Sequence, residues 1–190
     1  MKMKFDSIRS SLWAGALLLG LAVTGAARAA TYEIDPSHTF VLFEVKHLGV
    51  GKAHGMFRKT TGKFDPDEGM LEVSIDANSL YTANKKRDDH LRGPDFFNTK
   101  QFPKITFEST KVKKEGDKLR ITGDLTIKGK TKSVELMMSK VGEGKDPWGN
   151  FRAGYEGSLV LDRMDFGVDY MPDGLSTDVK LTLAVEGVRK

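Results

Sequence analysis

In Leu71-Glu72-Val73-Ser74-Ile75-Asp76, apolar and polar side chains alternate residue by residue. An extended strand sends successive side chains to opposite faces of a sheet, whereas a helix needs its apolar positions three and four apart. The same period recurs where Leu119, Ile121, Leu125 and Ile127 alternate with Arg120, Thr122, Asp124 and Thr126. It returns near the end, with Val179, Leu181, Leu183 and Val185 set against Lys180, Thr182, Ala184 and Glu186. Each of these stretches is predicted to be a strand with one apolar face.

Outward from these three, Gly51 to Phe57, Gly62 to Asp65, Lys104 to Thr110 and Phe151 to Leu161 are further strand candidates. Phe40-Val41-Leu42-Phe43 and Val134 to Met138 are apolar on both faces, which predicts that something, such as a packed helix, covers their outer side. The total is about eight or more short strands separated by Gly, Pro, Asp and Asn turns, the pattern of an all-β sandwich or barrel. No strand–helix–strand alternation appears. The pattern breaks over residues 77–98, where Asn84 to Arg92 reads as one short helix stopped by Gly93-Pro94, because proline disfavours helical geometry in the residue before it. Phe96 and Phe97 follow in a polar connection, and either plug one end of a barrel or line a cavity. Trp148 lies in the turn-rich Gly142 to Asn150 and is read as a loop anchor.

At the N-terminus Lys2, Lys4 and Arg9 precede an apolar run from Leu12 to Val23, followed by Ala27-Arg28-Ala29. This is the pattern of a secretory signal peptide spanning residues 1–29, with cleavage expected after Ala29. The run is shorter than the roughly 18–20 residues a membrane-crossing helix requires. The absence of cysteine rules out a lipid-modified cysteine and any disulfide. Residues 30–190 are then one domain, in keeping with the usual domain size. Residues 1–29 hold four basic side chains and one acidic one, so their loss lowers the net charge of +4 by three, to +1. That removes the basic surplus expected of a nucleic-acid-binding domain.

Catalytic patterns are sparse. His38, His47, His54 and His90 show no local metal-ligand spacing, so no metal site is expected. There is no cysteine nucleophile and no Gly-x-Ser-x-Gly elbow. Asp88 with Asp89, and Asp162 with Asp165, are carboxylate pairs read as solvated acids, because no apolar surroundings are evident that would shift a pKa. No catalytic residue is assigned.

Asp35-Pro36-Ser37-His38, then Val41-x-Phe43-x-Val45-x-His47, Gly55-x-Phe57 and Gly62 resemble the opening of the YceI-like family. The similarity continues through Arg87-Asp88-x-His90-Leu91, Asp95-Phe96-Phe97 and Phe102-Pro103-x-Ile105-x-Phe107-x-Ser109. It persists in Gly123-Asp124-Leu125-Thr126, Asp146-Pro147-Trp148-Gly149, Arg152-Ala153-Gly154-Tyr155, Asp165-Phe166 and Val185-Glu186-Gly187-Val188. The order and coverage of these strings, from Tyr32 to the end, make the set specific.

The resemblance implies an extended, lipocalin-like, eight-stranded antiparallel barrel with one or two short helices in the 77–98 connection. It implies a periplasmic protein that binds a polyisoprenoid, either an isoprenoid quinone or a polyprenyl phosphate, without a cofactor and without chemistry. Eight strands leave an interior just wide enough to be filled by side chains or to admit one slender ligand. The residues expected to line such a pore are Val41, Phe43, Val45, His47, Phe57, Leu71, Val73, Ile75, Phe107, Leu125, Ile127, Leu181 and Leu183, with Phe96 and Phe97 as a gate. If Phe40 and Leu42 face inward instead, the choices on that strand reverse. Arg87, His90 and Arg152 match family motif positions and are the candidates for holding a head group. Expected partners are the lipid, a transient contact with a membrane or membrane enzyme, and a second copy, which outward apolar residues permit without requiring. A structural or stress-response barrel with a filled core, and an enzyme acting on a lipid or small molecule, stand as alternatives.

Overall fold

The computed structural model describes residues 30–190; the expected signal peptide lies outside them. The strands in chain order are β1 (Tyr32–Ile34), β2 (Phe40–His47), β3 (Gly51–Phe57), β4 (Thr60–Asp65), β5 (Met70–Asp76) and β6 (Leu80–Tyr81), then β7 (Lys104–Glu115), β8 (Lys118–Ile127), β9 (Lys130–Lys145), β10 (Phe151–Asp162) and β11 (Leu175–Arg189). One helix, α1 (Lys85–Arg92), interrupts them. The alternation in β5 is realised residue by residue, with Leu71, Val73 and Ile75 buried between half-exposed neighbours.

All ladders are antiparallel, and β1 closes the sheet by pairing with both β4 and β11. Around the ring run β1, β4, β5, β7, β8, β9, β10 and β11. The result is a closed eight-stranded barrel, from which β2, β3 and β6 extend the sheet beyond β11. Long β11 meets β1 through Gly187–Arg189 and β2 through Leu175–Ala184, so β1 and β2 follow each other along one partner. Farther from that end, β3 pairs with β2 and short β6 with β3.

The phase of β2 places Val41 inside and buried, while Phe40 and Leu42 face outward at 43% and 41% exposure. Among the described residues no helix covers that face: α1 packs beside β6 instead. On β9, Leu136 and Met138 are buried and Glu135 points outward. The helix begins where expected: Asn84 caps it by accepting from the Arg87 N–H at 3.0 Å, and Gly93 ends it.

The two ends of the barrel are built differently. At one, Tyr32 stacks on Phe64 with ring centroids 5.0 Å apart, and Tyr155 meets Phe64 edge-on at 5.6 Å. Beside this aromatic plug, Arg152 Nη1 donates to Asp35 (2.7 Å) and Glu186 (2.8 Å), and its Nε donates to Asp146 (2.8 Å). One guanidinium thereby ties together the β1–β2 connection, β11 and the loop before β10. The Asp146 carboxylate organises that loop by accepting from the backbone N–H groups of Trp148 and Asn150. Trp148 is not the anchor: its ring stands in solvent at 81% exposure. At the other end α1, the 93–103 connection, the 163–174 segment and the β2–β3 hairpin gather, joined where Lys128 donates to the carbonyls of Pro94 and Gly167.

Candidate functional site

Between these ends the barrel encloses a cavity of about 690 Å³. That lies within the range of about 300–1,000 Å³ usual for small-molecule sites. The inward positions of β2, β3, β5, β7, β8, β9, β10 and β11 supply an almost wholly apolar wall. Val41, Phe43, Val45, His47, Phe57, Leu71, Val73, Ile75, Phe107, Leu125, Ile127, Leu181 and Leu183 all stand on it. So do Phe96 and Phe97.

Small residues set the width of this space. A Cβ at Gly55 would lie 2.2 Å from the Phe43 ring, and one at Gly123 would lie 2.4 Å from the Phe107 ring. The tip of each phenylalanine ring therefore lies over a glycine on the neighbouring strand. Phe57 links Phe43 to Phe97, 5.8 Å from the first and edge-on to the second at 5.6 Å.

The cavity opens where its lining residues are also exposed: His47, Lys52, His54, Arg87, His90, Tyr170 and Met171. His90 packs edge-on against both Phe96 and Tyr170, and its Nε2 lies 2.9 Å from Asp95 Oδ2. Lys52 pairs with Glu44 at 2.6 Å. Arg87 donates from Nε to the Thr82 hydroxyl (2.8 Å) and from Nη2 to the Thr82 carbonyl (2.6 Å), so its charge is met by neutral oxygens. Thr82 is in turn held by buried Asp88, which accepts from both its N–H and its hydroxyl. Asp88 is thus a buried structural acceptor, not a solvated acid. Asp89 is the exposed member of that pair, bonded to Lys85. Of the other expected pair, Asp162 caps the turn at Met164 and Asp165 faces Lys132 at 3.6 Å.

Two of the three head-group candidates, Arg87 and His90, stand at the rim. Arg152 does not: it sits at the plugged end with its donors spent on three carboxylates. Its charge holds Asp35 well below the usual carboxylate range and Asp146 at about 2. The carboxylates of Asp35 and Glu186 converge with His38 closely enough to suit a metal ion, but the same Arg152 Nη1 already bonds both.

Besides Thr82, two more buried polar residues on the wall gave no sign in the sequence. Arg163 is 5% exposed and donates to the carbonyls of Ser176 (2.9 Å), Val168, Tyr170 (3.0 Å) and Leu175 (3.2 Å). Burial lowers its pKa, and the four carbonyls replace its lost hydration while tying the 163–176 segment to the rim. Thr60 is the second, a hydroxyl deep in the wall.

The family model of the YceI-like domain matches residues 32–187, all but the last two residues of the barrel strands. The chain belongs to the YceI-like family. Among YceI-like relatives, a UPF0312 protein of Pseudomonas aeruginosa is 42% identical over 190 residues, covering 96% of this chain and 100% of the relative. Protein YceI of Salmonella arizonae is 42% identical over 177 residues, covering 90% and 93%. Of solved structures, Burkholderia cenocepacia BcnA aligns with a TM-score of 0.71 at 26% identity, over 80% of this chain and 98% of its own. A polyisoprenoid binding domain from Saccharophagus degradans shares the fold, with a TM-score of 0.67 at 15% identity, over 86% and 100%.

Proposed function

We propose that this YceI-like protein binds one long-chain isoprenoid lipid in its barrel and carries or stores it in the periplasm without chemical change. The observation that carries this reading is the enclosed apolar cavity of about 690 Å³, in a fold that could equally have filled its interior with side chains. Burying a hydrocarbon gains about 0.8 kcal/mol per methylene, so a slender chain in this wall is held tightly with few polar contacts. The fold shared with a polyisoprenoid binding domain supports the same ligand class. Residues 1–29, read as a signal peptide, supply the route to the periplasm. Of the carboxylates weighed as acid or base, Asp88, Asp89 and Asp162 are committed to Thr82, Lys85 and a helical-turn cap, and Asp165 is exposed beside Lys132, which favours binding over turnover. Isoprenoid quinones and polyprenyl phosphates are the two head-group classes, with Arg87 and His90 placed to meet a phosphate left at the rim.

The test is organic extraction and mass spectrometry of the protein purified from its own periplasm without detergent, beside a Phe43→Arg variant. A stoichiometric isoprenoid in the wild type that is lost from a folded variant is the expected result. Two equally stable proteins that both come out empty would sink the proposal and leave a structural barrel as the better account.

A further inference from the structure

Two turns at the open end of the barrel carry exposed apolar side chains in a backbone conformation that disfavours them. The tip of the β2–β3 hairpin reads Leu48-Gly49-Val50, with Leu48 at φ 51° and Gly49 at φ 68°. Met171, in the 163–174 segment, has φ 55°. Glycine and asparagine adopt this left-handed region readily, whereas a longer side chain crowds its own backbone there. Solvent disfavours the same residues: Leu48 is 53% exposed, Val50 87%, and Met171 is exposed as well. Apolar residues held against both preferences mark a surface kept for a function. The two turns are also joined. The Leu48 N–H donates to the Gly174 carbonyl at 2.7 Å, and the Met171 side chain folds over Gly174, where a Cβ would lie 2.3 Å from its Cε. Met171 and exposed Tyr170 line the cavity, so apolar surface leads from the hairpin tip through Met171 into the lumen.

We propose that this end of the barrel docks on a phospholipid bilayer, with Leu48, Val50 and Met171 inserted at its surface and the cavity mouth turned to the membrane. The inference rests on the lipid-carrier reading above and names the surface with which the carrier exchanges. A hydrocarbon crossing through water would forfeit, at every methylene, the gain that holds it in bilayer or lumen, and a mouth pressed to the membrane closes that gap. The patch is too small for a stable protein partner. Four partly exposed side chains, Leu48, Val50, Tyr170 and Met171, fall well short of the roughly 800 Å² that each side of a standard protein interface buries. A bilayer, in contrast, accepts a few inserted apolar side chains, and the affinity grows with the area they bury. Behind the tip Lys46 and Lys52 face each other across the hairpin, the second paired with Glu44. Long cationic side chains at that level reach head-group phosphates while the tip goes deeper. Asp169 and Asp173, exposed on either side of Met171, limit how far that turn can sink, so the hairpin is the deeper of the two insertions.

The experiment follows co-sedimentation of the delipidated protein, residues 30–190, with vesicles of phosphatidylcholine and phosphatidylglycerol. Wild type is compared with Leu48→Asn, Val50→Ser and, at the plugged end, Trp148→Ser. Asparagine suits the left-handed backbone, so Leu48→Asn should melt no lower than wild type while its vesicle partition falls about tenfold, the equivalent of about 1.4 kcal/mol. Val50→Ser should act in the same direction. Trp148→Ser should leave partition unchanged, although it removes a more exposed apolar ring than Leu48. In a Trp148→Phe chain, a Val50→Trp reporter should shift its emission to the blue on vesicles, whereas the wild-type Trp148 emission should stay put. A wild type that does not bind the vesicles, or binding that the tip variants leave unchanged, overturns the docking. Dimerisation that the tip variants abolish, with no vesicle binding, assigns the tip to a second copy and overturns it too. Neither readout involves a lumen ligand, so failure here is distinct from failure of the carrier reading, which lipid extraction tests.

Discussion

Asp88→Ala perturbs the rim without touching the cavity wall. Asp88 is buried, and its Oδ1 accepts from the Thr82 N–H at 2.8 Å and from the Thr82 hydroxyl at 2.5 Å. Removing the carboxylate strands the Thr82 N–H, a loss of about 1–3 kcal/mol, and forfeits a charge-assisted bond to the hydroxyl of about 1.5–3 kcal/mol. Relief of the carboxylate's own desolvation offsets part of this, which brings the net destabilisation to about 3 kcal/mol. For a chain of this size each kcal/mol moves the melting temperature by about 2–4 °C, so a fall of about 6–12 °C is expected. The Thr82 hydroxyl still accepts from Arg87 Nε, so that arm of the network survives and bounds the damage.

Thermal unfolding followed by circular dichroism measures the effect. Asp88→Asn keeps an oxygen for the Thr82 N–H and should lose less than half as much. A Thr82→Val partner completes a double-mutant cycle whose coupling isolates the hydroxyl bond. Asp88→Ala melting within about 2 °C of wild type, or melting with Asp88→Asn, would refute the claim that this carboxylate pins α1 to the rim. Because α1 carries Arg87, His90 and Leu91 on the cavity lining, the same variant should also lose its lipid faster.

Two further outcomes follow from single contacts. Arg152→Gln removes the charge that depresses the pKa values of Asp35 and Asp146; a carboxylate depressed on folding adds stability above about pH 4 that is lost as pH falls through its folded value, about 2 for Asp146. Wild type should therefore melt well above the variant at pH 7 and converge on it toward pH 2, and a gap that stays constant in melts across that range would contradict the assignment. Gly55→Ala places a methyl 2.2 Å from Phe43 Cζ and 2.8 Å from Thr82 Cγ2, so the ring must swing into the lumen. The expected cost is about 1–3 kcal/mol together with a reduced lipid load on extraction, and Phe43→Leu in the same chain should restore both.

Much of the barrel was legible because burial on one face imposes a strict period of two. Leu71, Val73 and Ile75 announce β5 in this way, and the matching stretches of β8 and β11 fix the inward face of their strands. The inward set on β2 follows once its phase is known, since Val41, Phe43, Val45 and His47 move as a unit. What local sequence cannot carry is the partner across the chain. Arg152 resembled a head-group residue by motif, yet its role is settled by Asp35, 117 positions away, and Glu186, 34 positions away. Asp88 read as a surface acid because its partner, the Thr82 N–H and hydroxyl, has no hydrophobic signature. Thr60 and Arg163 interrupt apolar positions with polar ones, which pattern reading passes over. Phe40 and Leu42 pointed to a helical cover that the described residues do not supply.

The distribution of these polar groups explains how a hollow protein stays folded. A cavity in a core forgoes packing, at a rate of about 24 cal/mol for each Å³ left empty in a side-chain truncation. In this barrel the specific contacts concentrate at the ends: Tyr32, Phe64, Tyr155 and the Arg152 cluster at one, Asp88, Thr82 and Arg163 at the other. Closed antiparallel ladders hold the wall between them. The lumen is then free to be optimised for a guest instead of for the chain's own side chains. A guest that binds only the folded state adds stability by mass action, about 2.7 kcal/mol at a hundredfold excess over its dissociation constant. Loading with the right lipid should accordingly raise the melting temperature by about 5–11 °C, and the size of that rise ranks candidate ligands without any assumption about their head groups.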